Sequence, residues 1–354
     1  MSTEPPSFSH SPYKTHLFRS LPMATHARSE YWDFLKALLI FCVTWGHMIQ
    51  FYLYHDTLAY WDDTAFCLIY SFHMPLFVLI SGYFAAAAYK KHGTKMVLRY
   101  AAHLLAPCVF PVFLYIVKAL LSHTTIHPTC CIREFLALWF LIVTMECAVF
   151  YTASKCASRP WIKGALIAIP FVAALFFQTY PPSPFLTFPH AGHFAYLWPF
   201  FLIGSWLQER HLTETHIKKR YALILIPAVA CLLPCDKSLF VYVTPPTLSV
   251  QALAIDVFRT ALALAVSLGV AACCKMISDY RPIPPLLLRI GRATLGIYVL
   301  QTLLINNLYK LFPFSLSGSI ETFLYSIIAT LLLYLLYSLL CRVPILRALM
   351  FGIR

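Results

Sequence analysis

One feature recurs along this chain and leaves few folds open to it: apolar runs of about twenty residues, each long enough at ~1.5 Å per residue to cross the ~30 Å core of a bilayer as a helix. The ten runs fall near 33–54, 65–88, 97–121, 134–153, 161–178, 194–208, 221–235, 249–276, 286–310 and 319–341. They produce a composition that is 60% hydrophobic and only 12% charged. A soluble domain averages roughly a quarter charged residues and lacks the interior to hide such an excess. The expectation is an all-α integral membrane protein of about ten transmembrane helices, with disorder, collagen, a coiled coil and a nucleic-acid-binding domain excluded. Pro75, Pro107 and Pro111 lie inside runs and are read as kinks. The sixth and seventh runs are short, and the seventh carries Pro227.

An even number of crossings puts both termini on one side, and the 27 Lys and Arg test which side that is. With both ends cytoplasmic, the inner segments collect clusters such as Lys90, Lys91, Lys95 and Arg99, or Lys218, Lys219 and Arg220. The outer segments hold only Arg133, Lys237 and Lys310, while Lys118 and Arg259 fall within runs. Such a bias supports count and orientation together, so the net charge of +13 is first a topology signal. Contact with anionic lipid or a phosphorylated cytosolic ligand is its second reading.

Most of the 12 cysteines lie singly in apolar runs, as Cys42, Cys67, Cys108 and Cys147 do, which reads as buried free thiols rather than a disulfide framework. Residues 1–30 contain Pro, Ser, His and basic residues but no apolar h-region, so the expectation is a flexible cytoplasmic tail without a cleavable signal. The first run then serves as its own insertion signal, and Met23 is a second candidate start. Residues 31–354 read as one membrane domain, with no internal repeat.

Ionisable groups inside runs are costly and usually face a cavity or a partner. Run one reads Tyr31-Trp32-Asp33-Phe34-Leu35-Lys36, then an apolar stretch, then Trp45-Gly46-His47-Met48. Lys36 and His47 are eleven positions apart, about three turns plus ~20°, so they share a face about 16 Å apart along the axis. Asp33 joins that stripe, giving a charged pair at the cytoplasmic mouth and an imidazole deeper in. Run two carries Ser71-Phe72-His73-Met74-Pro75-Leu76-Phe77 and Ser81-Gly82-Tyr83. Runs one and two form a hairpin joined on the outer side, and His47 and His73 each lie roughly 10 Å from that end, at matched depth.

Asp33-Phe34-Leu35-Lys36 ahead of Trp45-Gly46-His47, followed by Phe72-His73-Met74-Pro75-Leu76-Phe77 and Ser81-Gly82-Tyr83, resembles the acyltransferase-3 family of membrane acyltransferases. Later segments agree in order: Leu138-Trp139-Phe140-Leu141, Phe200-Phe201-Leu202-Ile203-Gly204, and Ile290-Gly291-Arg292-Ala293-Thr294-Leu295-Gly296-Ile297-Tyr298. Two places depart from that family's pattern. Arg99 is followed by His103 and Pro107 where the family usually has two arginines, and Gln301 stands where it often has His.

The resemblance implies transfer of an acyl group, typically acetyl, from a cytoplasmic acyl-CoA to a hydroxyl of a glycan or related envelope acceptor, in the inner cell membrane and with no metal. His47 then reads as the general base or as an acyl-accepting nucleophile, both within the range of an imidazole near neutral pH. Asp33, Lys36 and His73 complete the candidate catalytic set. Lys36, Lys95, Arg99, Arg289 and Arg292 are the candidates for holding the donor's phosphates.

Each has a plainer reading. His47 is otherwise a histidine bonded between helices, His73 ties down the kink at Pro75, and the basic residues follow the topology alone. Asp256 and Arg259, three apart, satisfy each other. Glu146 bonds another helix or lines the donor path, and Gln301, Asn306 and Asn307 touch an acceptor or join helices. His190 and His193 lack an acidic neighbour and make a poor metal site. The competing functions are a multi-pass transporter or flippase, which usually shows repeats, and a catalytically silent scaffold.

Overall fold

In a computed structural model, residues 29–179, 190–233, 239–240, 249–311 and 314–352 are described. The expected tail lies outside them, apart from its last two residues. Every run forms helix, and the described residues contain no strand. The helices are α1 (Glu30–Met48), α2 (Thr64–His92), α3 (Lys95–Leu104), α4 (Ala106–Leu121), α5 (Pro128–Leu136), α6 (Trp139–Cys156) and α7 (Pro160–Thr179). There follow α8 (Ala191–Glu209), α9 (Leu225–Leu232), α10 (Val250–Tyr280), α11 (Pro285–Arg292), α12 (Thr294–Leu311), α13 (Ser319–Leu340) and α14 (Pro344–Phe351).

Among the described residues, five helices are long and apolar enough to cross a membrane: Glu30–Leu53, Thr64–His92, Lys95–Leu121, Val250–Tyr280 and Ser319–Leu340. The count becomes seven if the bent pairs α5–α6 (75°) and α11–α12 (70°) each make one crossing. The expected seventh run is split into a 3-10 turn at Lys219–Ile224 and the eight-residue α9, and residues 234–238 after it lie outside the described ones.

α1 is the central helix, packed against α2, α10, α11, α12 and α13. It is buried on most faces, which is why its apolar residues follow no single stripe. The periphery does show a stripe: Ile320, Leu324, Ile328, Leu332, Leu335 and Leu339 of α13 are exposed at helical spacing, the pattern of a helix whose outer face meets lipid. Helix packing within an apolar solvent depends on close backbone approach. One close crossing is α2 against α8, where a Cβ on Gly82 would lie 2.1 Å from the Phe201 carbonyl oxygen and one on Gly204 1.9 Å from that of Leu79.

Candidate active site

The first turn of α1 is fastened to α11. Asp33 is 1% exposed, and its two carboxylate oxygens are divided between two cations. Lys36 Nζ lies 3.0 Å from Oδ1, and Arg292 Nε donates to Oδ2 at 2.9 Å. Gly291 makes the approach possible, since a Cβ there would sit 1.8 Å from the Asp33 carbonyl oxygen. Of the expected donor-binding cations, the structure thus joins Lys36 and Arg292 through Asp33. Lys95, Arg99 and Arg289 are exposed on the neighbouring α3 and α11, and Arg99 Nη1 donates to His92 Nε2 at 2.7 Å.

From Lys36 a cavity of about 300 Å³ runs inward, lined by Ile40 and Val43 of α1, Met74, Phe77 and Ile80 of α2, Phe140 and Thr144 of α6, and Tyr298 of α12. Its walls are overwhelmingly apolar, with Lys36 and His103 the basic side chains among the described residues that line it. His103 Nδ1 donates to the Gly352 carbonyl at 2.8 Å, tying α3 to the segment after α14. The residue that departs from the family pattern therefore borders this cavity and also anchors the chain's last described turn.

A second cavity, of about 320 Å³, lies beyond the first along the same helices. It receives both His47 and His73, the pair expected to share one depth, with Gln50, Tyr70, Trp139, His193 and Thr302. Lys36, Ile40, Val43 and His47 follow each other at intervals of four, three and four, one face of α1. A π-turn at Ile49–Leu53 follows directly after α1, a geometry often found at functional sites, and sets Phe51 5.9 Å from the His47 ring, centroid to centroid.

The two imidazoles are held differently. His73 Nδ1 donates to the Ile69 carbonyl at 2.7 Å, which assigns the proton to that nitrogen and leaves Nε2 as an acceptor. The bond runs back along α2 just before Pro75, so the kink-tying role and a place in the cavity coexist. His47 Nδ1 is buried and has no hydrogen-bond partner among the described residues. One turn earlier on α1, Thr44 Oγ1 donates to Gln301 Oε1 at 2.8 Å. Gln301, fully buried, stands at the other position that departs from the family pattern and here fixes α12 against α1.

Trp139 and His193 escaped the sequence reading as members of this cavity. Trp139 begins α6 after the 75° bend, and its ring lies 4.5 Å from His193 on the first turn of α8. The segment Leu138-Trp139-Phe140-Leu141 was the available signal, but nothing local tied it to His47. Elsewhere, Arg259 pairs with Asp256 and lies over the Tyr196 ring at 5.5 Å, as their spacing suggested. Glu146 keeps Oε2 buried without a partner among the described residues. Asn307 Nδ2 donates to the Leu303 carbonyl of its own helix, and the Asn306 side chain is outside the described residues.

Residues 29–338 match the acyltransferase-3 family, described as an acyltransferase domain. The chain is similar to the nodulation protein NolL of Mesorhizobium japonicum (strain LMG 29417 / CECT 9101 / MAFF 303099), 26% identical over 305 residues that cover 80% of this chain and 78% of that protein. It is also similar to the nodulation protein NolL of Sinorhizobium fredii (strain NBRC 101917 / NGR234), 27% identical over 289 residues and 76% of each chain. No solved structure matches.

Proposed function

The chain belongs to the acyltransferase-3 family and is a multi-pass membrane acyltransferase; from that premise we propose that it moves an acetyl or similarly short acyl group from cytoplasmic acyl-CoA to a hydroxyl of a glycan or related envelope acceptor. The observation that carries this reading is the stacking of two cavities along one face of α1, an apolar one opening beside Lys36 and a more polar one holding His47 and His73. An apolar cavity with Lys36 in its lining suits a pantetheine arm trailing phosphates, and Lys36, Lys95, Arg99, Arg289 and Arg292 are the cations we assign to them. Asp33 acts at one remove, by holding Lys36 and Arg292 in place.

In this mechanism the acceptor hydroxyl attacks the thioester carbonyl carbon while His47 removes its proton. The C–O bond forms, the C–S bond breaks, and the proton held by His47 passes to the departing thiolate. His73, with its Nδ1–H engaged by Ile69, offers Nε2 to orient the acceptor hydroxyl. The outer cavity's rings, Trp61, Tyr70 and Trp139 among them, offer flat apolar faces for a sugar ring and its polar atoms offer orientation. The proposal includes residues 31–354 as one domain in the inner membrane, with ten crossings and both termini cytoplasmic, supported by the distribution of Lys and Arg. The test is mass spectrometry of surface glycans from cells with and without the gene. Loss of an acyl increment supports it, and transport of a solute by vesicles lacking any acyl donor would replace it with a transporter.

A further inference from the structure

The two cavities meet at three residues, Val43, Met74 and Tyr298, each of which lines both. All three are buried, at 4%, 3% and 7% exposure, and they come from three different helices. Val43 stands one turn before His47 and Met74 directly follows His73, so this septum lies where the donor side ends and the histidine side begins. We propose that Val43, Met74 and Tyr298 set the length of the acyl group transferred. The inference rests on the acyl-CoA reading above and deepens it by naming the residues that select the donor.

The constraint is geometric. One turn of helix separates Val43 from His47, about 6 Å along the axis. A carbonyl carbon must come within ~3–3.5 Å of the attacking oxygen that His47 deprotonates. The thioester carbonyl therefore reaches the septum while the pantetheine remains on the Lys36 side. Every further carbon of the acyl group has to lie beyond that carbonyl, either against Met74 and Tyr298 or in the outer cavity of about 320 Å³ that the acceptor also occupies. A short acyl group leaves room for the acceptor and a long one takes it. Tyr298 is braced by Phe140, 5.7 Å away between ring centroids, and Val43 is a short, stiff side chain, so two sides of the septum are fixed and Met74 is the side that can yield. An apolar septum also keeps water from the thioester before the acceptor is seated.

The experiment uses the full-length protein in liposomes, with acetyl-CoA or butyryl-CoA as donor, glycans extracted from the producing cells as acceptor, and acyl increments read by mass spectrometry. The wild type should transfer butyryl at least tenfold more slowly than acetyl, within the roughly 10–200-fold range that one misfit methylene produces in an apolar pocket. Butyryl-CoA should still inhibit acetyl transfer, because the arm binds on the other side of the septum. Val43→Ala and Met74→Ala should each raise the butyryl-to-acetyl ratio at least tenfold. A wild type that transfers both groups equally, or a ratio unchanged within twofold in whichever variants accumulate, overturns the septum. A wild type that transfers neither group overturns the acyl-CoA reading instead.

Discussion

His47 and Asp33 share one helix yet answer to opposite demands. Asp33 is saturated, its oxygens taken by Lys36 and Arg292, whereas His47 keeps a buried nitrogen without a partner among the described residues. A saturated carboxylate is suited to positioning, and an unsaturated imidazole to accepting a proton. Replacing His47 with Ala is expected to reduce acyl transfer by at least 10²-fold, the low end of what a general base contributes, while the protein still inserts and accumulates; full activity would remove His47 from the chemistry. Asp33→Asn should instead raise the KM for the donor more than it lowers kcat, because it releases Lys36 and Arg292 without touching the reacting atoms. It should also lower stability, since Asp33 is 1% exposed and the largely buried Lys36 loses its counter-charge, whereas the half-exposed Arg292 is compensated by water. Steady-state kinetics on the purified variant separates these effects. The Lys36 to His47 spacing was legible because it repeats a local helical angle. Arg292 as the partner of Asp33 was not, because 259 positions separate them and any arginine at a cytoplasmic helix end satisfied the same sequence rule.

Among the elements, every apolar run is helical where described, but hydropathy missed α14 and most of α5 and did not tell a crossing from a bend. The runs near 134–153 and 286–310 each contain a sharp turn, at Ala137–Leu138 and Ala293, that places Trp139 and Tyr298 into the cavities. An apolar run is equally apolar straight or bent, so its composition carries no record of the turn. The α2–α8 crossing has little tolerance, because backbone meets backbone at Gly82 and Gly204. Gly204→Val should lower the melting temperature in detergent by roughly 10 °C or more, or prevent accumulation, as overpacking does when no side chain can give way. Gly164→Val, where an added Cβ meets nothing within 4 Å, should leave the melting temperature near that of the wild type. Equal behaviour of the two variants would show that the crossing is looser than this packing implies.

For the whole molecule, orientation is the property that decides which cavity meets the donor. Cys130 and Cys131 on α5 are partly exposed and fall on the proposed outer side, while Cys156, exposed at the end of α6, falls on the proposed cytoplasmic side. In intact cells a membrane-impermeant maleimide should label a variant retaining only Cys130 and Cys131, and should reach a Cys156-only variant after permeabilisation alone; the reverse pattern would invert the donor and acceptor sides. The sequence by itself determined the solvent, the helical class, the expected sidedness and the common face of Lys36 and His47, because each depends on a periodicity or charge bias within a short stretch of chain. The tertiary structure alone decided that α2, α6 and α12 close around that face, that the space beside it is divided at Val43, Met74 and Tyr298, and that His73 and His193 join His47 on one side of the division. The physical reason is that apolar helices in an apolar solvent carry no directional preference of their own. Which faces meet is settled by shape, at contacts such as Gly82 with Phe201 and Gly291 with Asp33, between residues distant in the chain.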